Sequence, residues 1–175
     1  MKIFPAHKNI IIGRALFALF IILSAVLIGG CYSFTGSSVP PHLKTVAVPL
    51  FEDVSGFGEP NLRENLTQKV TDLIINDNTL EIADRTSSDC ILEGTIVSVS
   101  DAPSVIAPGE QVTTRRVTIT VRATFTDMKF RKKLWEKSFS QWGEYAQSSE
   151  PRTNAIDEAV NKIAEDILIE TVSGW

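Results

Sequence analysis

The stretch that decides the fold is Val117-Thr118-Ile119-Thr120-Val121-Arg122-Ala123-Thr124-Phe125. Apolar residues occupy every second position, and threonine or arginine occupies each position between them. Because successive side chains of a β-strand point to opposite faces of the sheet, one face of this strand is apolar and the other is polar. The pattern predicts a long central strand with the core on one side. The polar face, with Arg116 and Arg122, is a candidate contact surface.

On either side of this strand, the sequence contains further strand patterns and two amphipathic helices. Apolar and β-branched runs predict strands at Lys44–Phe51, Leu80–Asp84, Ile91–Ser100 and Leu134–Phe139. Apolar residues at helical spacing predict one helix that starts at Pro60 and is ended by Asn76-Asp77-Asn78, and a second, long helix that opens at Pro151. We therefore expect residues 44–175 to form a single α+β domain of β-α-β-β-β-α layout. Both helices should pack on one face of a mixed four- to five-stranded sheet.

The first thirty residues differ in composition from the rest of the chain. They contain three of the 17 bases and none of the 21 acids, and an apolar run from Ala15 to Ile28 precedes two glycines. A basic start, an apolar core and two small residues are the layout of a secretory signal peptide. We therefore expect residues 1–30 to be a signal peptide. Residues 31–175 keep 14 bases against 21 acids, which is a net charge of −7.

Cys31 indicates what kind of signal peptide this is. Ile28-Gly29-Gly30-Cys31 resembles the bacterial lipobox, in which the cysteine receives a diacylglycerol before cleavage. Acyl chains hold a domain to a bilayer without a spanning helix, so we expect Cys31 to be the lipid attachment residue and residues 31–43 to be a lipid tether. Tyr32 is not the aspartate associated with inner-membrane retention, which favours the outer membrane and a domain that faces the periplasm. The alternative is an uncleaved anchor with an incidental cysteine.

The remaining composition argues against several classes of function. The acidic balance disfavours a nucleic-acid binder or a generic anionic-membrane binder, which needs a basic face. The cysteines and histidines are only Cys31, Cys90, His7 and His42, which is too few for a zinc site or a histidine-dependent triad. Cys90 begins an apolar strand, where a buried and inert thiol is expected. We expect no enzyme, no metal and no cofactor; the enzymatic alternative is a lipid-anchored hydrolase that uses His42 or Cys90.

Several segments together resemble the lipopolysaccharide-assembly lipoproteins of the LptE family. The resemblance begins at the lipobox cysteine with Cys31-Tyr32-Ser33-Phe34-Thr35-Gly36 and runs through Pro40-Pro41-His42-Leu43-Lys44-Thr45-Val46-Ala47-Val48. It continues, in the order of the family, with Leu92-Glu93-Gly94-Thr95-Ile96, Val117–Asp127 and Leu134-Trp135-Glu136. Tyr32 stands where the family commonly has glycine. The resemblance covers essentially all of the chain after the signal peptide.

This resemblance implies an outer-membrane lipoprotein that partners and plugs the LptD β-barrel. Within the barrel lumen, such a protein assists barrel assembly and takes part in the delivery of lipopolysaccharide to the outer leaflet. A compact, acidic and non-catalytic domain on a short lipid tether is compatible with a polar lumen.

The resemblance also implies a lipopolysaccharide contact made by basic residues near the tip of the hairpin before the central strand. Here that hairpin, Ser104–Glu110, contains no base. Because the strands alternate in direction, the loop before the last helix lies at the same end of the sheet. The expected lipopolysaccharide contacts are therefore Arg115, Arg116 and Arg152, with solvated or barrel-contacting charge as the alternative. Arg131-Lys132-Lys133 is expected at the opposite end.

A second resemblance indicates a different kind of anchored partner protein. It consists of Val46-Ala47-Val48-Pro49-Leu50-Phe51-Glu52-Asp53, a helix, and a short strand that ends at Asp84-Arg85. This pattern looks like the opening of curli-secretion lipoproteins, of penicillin-binding-protein activators and of the TolB N-terminal domain. It implies a secretion ring or a peptidoglycan-synthase partner. Sheet topology alone does not separate this alternative from the first interpretation.

Overall fold

The computed structural model describes residues 39–104 and 114–173 of the chain. In chain order, its strands and helices are β1 (Thr45–Ala47), β2 (Glu52–Asp53), α1 (Leu62–Asp77), β3 (Glu81–Ile82), β4 (Cys90–Pro103), β5 (Thr114–Asp127), β6 (Lys132–Ala146) and α2 (Arg152–Ser173). The predicted α+β class, with two helices and a mixed sheet, is confirmed. The signal peptide, Cys31 and the tip of the Ser104–Glu110 hairpin lie outside the described residues.

One mixed sheet, six-stranded within the described residues, forms a layer of the domain. Five of its strands follow the order β3-β1-β4-β5-β6. The sixth strand, β2, also pairs with β4. β1 pairs in parallel with β3 and β4, whereas β5 pairs antiparallel with both β4 and β6. The strand with the clearest alternation, β5, therefore has a long neighbour on each side.

The first predicted strand, Lys44–Phe51, is observed only as β1, and a second short strand, β2, follows it. Pro49 lies between them and has no backbone N–H to donate to a neighbouring strand. β1 pairs with the start of β4, and β2 pairs with β4 further along. Between them, Phe51 is 1% exposed, and a Cβ atom on Gly94 would lie 2.3 Å from its ring. The absence of a side chain at Gly94 therefore makes room for Phe51.

β6 extends well beyond its predicted segment. The apolar pattern covers Leu134–Phe139, and the strand continues to Ala146. On the face towards α2, its later residues include Gln141 and Gly143, which do not continue the apolar alternation. Gln141 instead donates a hydrogen bond of 2.6 Å to Asp166 of α2. Polar contacts with the helix, which a hydropathy pattern does not detect, stabilise this part of the strand.

Both helices pack on the apolar face of the sheet, as predicted. The buried residues of α1 are Leu62, Leu66, Val70 and Ile74. The apolar residues that α2 buries are Ala155, Ile156, Ala159, Val160, Ile163, Ala164 and Ile167. These residues and the apolar side chains of β5 form one hydrophobic core. Within the described residues, neither helix has the length and hydropathy needed to cross a lipid bilayer.

Candidate functional site

The charged clusters of the domain lie at the two ends of the sheet. At one end, Thr114 at the start of β5 pairs with Ala146 at the end of β6, and α2 begins a short turn later at Arg152. The three candidate arginines, Arg115, Arg116 and Arg152, therefore lie at this end, which we call the arginine end. The opposite end holds the start of β1 and the turn between β5 and β6. We call it the tether end, because the chain enters the domain there.

Arg115 points to the helix-covered face and is held there by a carboxylate. Its Nε donates to Oδ1 of Asp101 at 2.8 Å, and one Nη donates to the backbone oxygen of the same residue at 3.1 Å. The Tyr145 hydroxyl donates to the other carboxylate oxygen of Asp101 at 2.9 Å. The hydrogen bond with Asp101 raises the pKa of Arg115 above its usual range. The guanidinium is thus engaged within the domain.

Arg116 points to the opposite, open face and belongs to a small cation–aromatic cluster. One Nη donates to Oε1 of Glu144 at 2.8 Å, and the guanidinium lies 4.0 Å from the ring centroid of Trp142. Nζ of Lys162, in α2, lies 4.6 Å from the same ring and donates to the backbone oxygen of Trp142 at 2.9 Å. Hydrogen bonds from Ser104 and Arg116 lower the pKa of Glu144. Two cations therefore share one indole ring.

Arg152 connects the start of α2 to the loop before α1. One Nη donates to Oε2 of Glu59 at 2.7 Å, and the guanidinium lies 5.2 Å from the ring centroid of Phe57. This loop passes through Gly56 and Gly58, which both have positive φ angles. Each of the three candidate arginines is thus paired with a carboxylate. They share one end of the sheet but do not converge on one point.

Sequence reasoning did not assign Trp142 or Lys162 to the arginine end. Lys162 follows Glu158 by four residues on α2, and its Nζ donates to Oε1 of that residue at 2.7 Å. This spacing signals a helical ion pair and nothing more. Arg116 meets Trp142 because of the register between β5 and β6, in which Trp142 pairs with Thr118. A single sequence does not specify that register.

At the tether end, the buried carboxylate of Asp127 fastens the incoming chain to the sheet. Asp127 is 1% exposed, and its Oδ2 lies 2.6 Å from Nε2 of His42. Its Oδ1 accepts a hydrogen bond of 3.0 Å from the backbone N–H of Phe130. Burial raises the pKa of Asp127, but the hydrogen bonds from His42 and Phe130 outweigh burial and lower it below its usual value. We call the pair of His42 and Asp127 the tether clasp.

A second aspartate, Asp89, reinforces this end. Its carboxylate accepts hydrogen bonds from the backbone N–H groups of Lys44, at 2.7 Å, and Thr45, at 3.1 Å. Its Oδ1 lies 2.8 Å from Nζ of Lys129, which also donates to the backbone oxygen of His42 at 2.7 Å. Hydrogen bonds from Lys129 and Lys44 lower the pKa of Asp89 to about 2. Asp89 therefore remains ionised at neutral pH.

Cys90, between these aspartates in β4, has no nucleophilic character. The free thiol is fully buried. Burial, and then the negative charges of Asp89 and Asp127, raise its pKa to about 12. The predicted burial of Cys90 is confirmed, and a raised pKa disfavours the thiolate, which is the reactive form of cysteine. Within residues 39–104 and 114–173, no three His, Cys, Asp or Glu side chains are placed to hold a metal ion.

The open face of the sheet is polar and rich in hydroxyl groups. The side chains that point away from the helices include Ser98, Ser100, Thr118, Thr120, Ser138 and Ser140. The hydroxyl groups of Thr120 and Ser140 lie 3.0 Å apart across β5 and β6. A cleft of about 310 Å³ on the same face is lined by Arg85, Glu93 and Arg122, among others. This face is therefore available to a polar partner.

The sequence matches the family model LptE, described as lipopolysaccharide-assembly, over residues 43–171. The chain belongs to the LptE family. The match begins just before β1 and ends within α2, so it covers the described domain almost completely. It confirms the lipopolysaccharide-assembly lipoprotein class that the motifs imply. LptE proteins are a non-enzymatic family, and the match does not favour the secretion-ring or synthase-activator alternative.

Several solved structures have a similar fold. A hypothetical protein from Chlamydia trachomatis gives a TM-score of 0.58 at 8% identity, over 73% of this chain and 95% of that chain. A protein from Xanthomonas campestris gives a TM-score of 0.54 at 12% identity, over 77% of this chain and 90% of that chain. PelC from Paraburkholderia phytofirmans, which forms a dodecamer, gives a TM-score of 0.52 at 10% identity, over 78% of this chain and 94% of that chain. These identities show a shared fold alone. A comparison with curated protein sequences gives no match.

Proposed function

We propose that this LptE-family chain is an outer-membrane lipoprotein that partners and plugs the LptD β-barrel. In this role it takes part in the assembly and transport of lipopolysaccharide to the outer leaflet. The observation that carries the proposal is the family match over residues 43–171. Cys31 is the lipid attachment residue, so the domain faces the periplasm on its tether and enters the barrel lumen.

We assign the open face of the sheet to the wall of the barrel. Outer-membrane barrels have polar interiors, so a partner inside the lumen needs a polar surface. Three long antiparallel strands present hydroxyl groups on this face, with Thr118, Thr120 and Ser140 near its centre. Hydroxyl groups both donate and accept hydrogen bonds, and they cost less to bury than charges do. The opposite face is already covered by α1 and α2.

Affinity purification of the lipidated protein from native outer membranes tests the partnership. We expect a large outer-membrane β-barrel, identified by mass spectrometry, to co-purify with it. Thr120→Arg should abolish co-purification, because a long charged side chain keeps the two polar surfaces apart. Gln68→Arg, at an exposed position of α1, is the matched control and should leave co-purification unchanged. Recovery of a peptidoglycan synthase or of a homo-oligomeric ring in place of the barrel would support the alternative.

We assign the lipopolysaccharide contact to the arginine end, with Arg116 as its main residue. Guanidinium groups bind phosphate through paired hydrogen bonds. The side chains of Arg116 and its partner Glu144 are 41% and 34% exposed, and such ion pairs contribute only about 0–1 kcal/mol, so a phosphate competes readily for the arginine. Lys162 adds a second positive charge at the same indole ring. Arg115 is 26% exposed and pairs with the more enclosed Asp101, so its part is smaller.

The affinity of the detergent-purified lipoprotein for lipopolysaccharide tests this assignment. Replacing all three candidate arginines by alanine should weaken binding by about tenfold or more, because hydrogen bonds between charged groups are lost. Arg116→Ala alone should account for most of this loss. The control variant removes the same positive charge from three other bases by replacing Arg63, Lys69 and Arg85 with alanine. Unchanged binding by the arginine variant would remove the assignment without affecting the test of the barrel partnership.

A further inference from the structure

The turn between β5 and β6 exposes apolar side chains at the tether end. Phe130 is 70% exposed and Met128 is 41% exposed. The turn itself is well fixed, because the backbone N–H of Phe130 donates to Asp127 and that of Met128 donates to the backbone oxygen of Asp89 at 2.8 Å. A phenyl ring held in water by an ordered turn is unfavourable in the isolated domain. Such exposure marks a contact site.

Basic residues surround these apolar side chains. Four of the 17 bases of the chain fall within the five positions 129–133. Two of the four pair with carboxylates of the domain. Arg131 and Lys132 are exposed and form no ion pair with another described residue. We call residues 128–133 the basic tip. A chain that is acidic on average thus concentrates positive charge beside an exposed phenylalanine.

The basic tip lies where the chain from the expected lipid anchor joins the domain. The ring of His42 contacts that of Phe130 edge to face, with 4.9 Å between the centroids. His42 follows Cys31 by eleven residues in the sequence. An extended chain of this length spans at most about 40 Å, so a lipid on Cys31 would keep the tip within about that distance of the bilayer that holds the lipid. Tethering at this distance gives the tip a high effective concentration at the membrane.

We propose that the basic tip is a membrane-contact site for anionic phospholipids. Phe130 and Met128 enter the headgroup region of the leaflet that holds the lipid anchor, and Arg131 and Lys132 bind lipid phosphates. Apolar side chains combined with bases are the chemistry that binds anionic bilayer surfaces. The contact orients the domain, so that the arginine end faces away from this leaflet. The proposal rests on the lipid anchor of the proposed function, but not on the barrel partnership.

Spin labelling of the purified lipidated protein in vesicles tests this site. Met128→Cys carries the nitroxide at the tip, and Val54→Cys, at an apolar position that is 64% exposed, carries it in the control protein. Cys90 is buried and does not compete for the label. The vesicles contain phosphatidylethanolamine and phosphatidylglycerol. We expect the tip label to be shielded from a water-soluble nickel complex and accessible to oxygen, and the label at position 54 to remain open to the nickel complex.

Charge variants distinguish phospholipid binding from other contacts. Arg131→Gln and Lys132→Gln should each lower the equilibrium ratio of membrane-bound to free tip by roughly fivefold. High salt should act in the same direction. A tip label as accessible to the nickel complex as the control label would overturn the proposal. Shielding that appears only after the purified barrel is added would also overturn it, because the tip would then be a protein contact. Co-purification of the barrel tests the proposed function separately.

Discussion

The two faces of the sheet differ in what stabilises them and in what they leave free. On the covered face, α2 approaches β6 so closely that a Cβ atom on Gly143 would lie 2.1 Å from the backbone oxygen of Ala155. On the open face no described helix covers the sheet, and serine and threonine occupy positions such as Thr118, Thr120 and Ser140. Neighbouring residues of β5 therefore have opposite roles, because Ile119 is fully buried and Thr120 is not. The residues of the covered face contribute most of the folding stability. The residues of the open face are therefore free to serve contacts with a partner.

The most severe disruption of the covered face is expected from Gly143→Val. Three added carbon atoms would collide with the backbone of α2, which has no side-chain freedom with which to yield. We expect the free energy of unfolding to fall by about 3 kcal/mol or more. Urea denaturation followed by circular dichroism measures the change. Ser140→Val, in the same strand but on the open face, is the control. Its free energy of unfolding should remain close to that of the natural protein.

The next largest effect is expected from Ile119→Ala, which creates a cavity in the core. Ile119 is fully buried beneath the helices. Removing its larger side chain should lower the free energy of unfolding by about 2–4 kcal/mol. The same denaturation experiment measures it. A loss below 1 kcal/mol, of the order expected for an exposed site, would show that the covered face is not closely packed.

A smaller contribution is expected from charge at the tether end, where the two faces meet the incoming chain. The pKa of Asp89 is lowered from 3.8 to about 2 in the folded protein. Its carboxylate therefore stabilises the fold by up to about 2 kcal/mol above pH 4, and this contribution is lost as the pH falls towards 2. Asp89→Asn should remove this part of the loss of stability at acid pH. Parallel stability curves for the variant and the natural protein between pH 5 and pH 2 would contradict this role.

The smallest effect is expected from Thr120→Val on the open face. The replacement keeps the size and the β-branched shape of the side chain and removes only a hydroxyl group that faces Ser140. The free energy of unfolding should change by no more than about 0.5 kcal/mol. Thermal unfolding of the two proteins side by side measures the difference. Destabilisation as large as that of Ile119→Ala would mean that the open face belongs to the core.

The sequence predicted the elements that depend on local periodicity. The alternation of β5 and the apolar stripes of the two helices place the core on one face of the sheet, as found. The short strand β2, after Phe51, was not predicted, and the apolar pattern of Leu134–Phe139 covers only part of β6. Both depend on contacts with distant elements, namely the pairing of β2 with β4 and the hydrogen bond between Gln141 and α2. Such contacts leave no periodic signal.

The candidate site was predictable as a location but not as a set of contacts. Alternating strand directions are enough to place Arg115, Arg116 and Arg152 at one end of the sheet. Their carboxylate partners are remote in sequence, and Arg152 binds Glu59 across 93 positions. Lipid attachment at Cys31 stays a prediction, since that residue lies outside the described part of the chain.

The tether clasp determines where a mechanical pull on the N-terminal side of the domain enters the sheet. A pull on the chain that precedes the domain reaches His42 before it reaches β1, which has only three residues. The contact of His42 with Asp127 transfers the load to the end of β5, a 14-residue strand with a long partner on each side. The three-residue β1 therefore bears less of the tension, and the long strands of the sheet carry more of it.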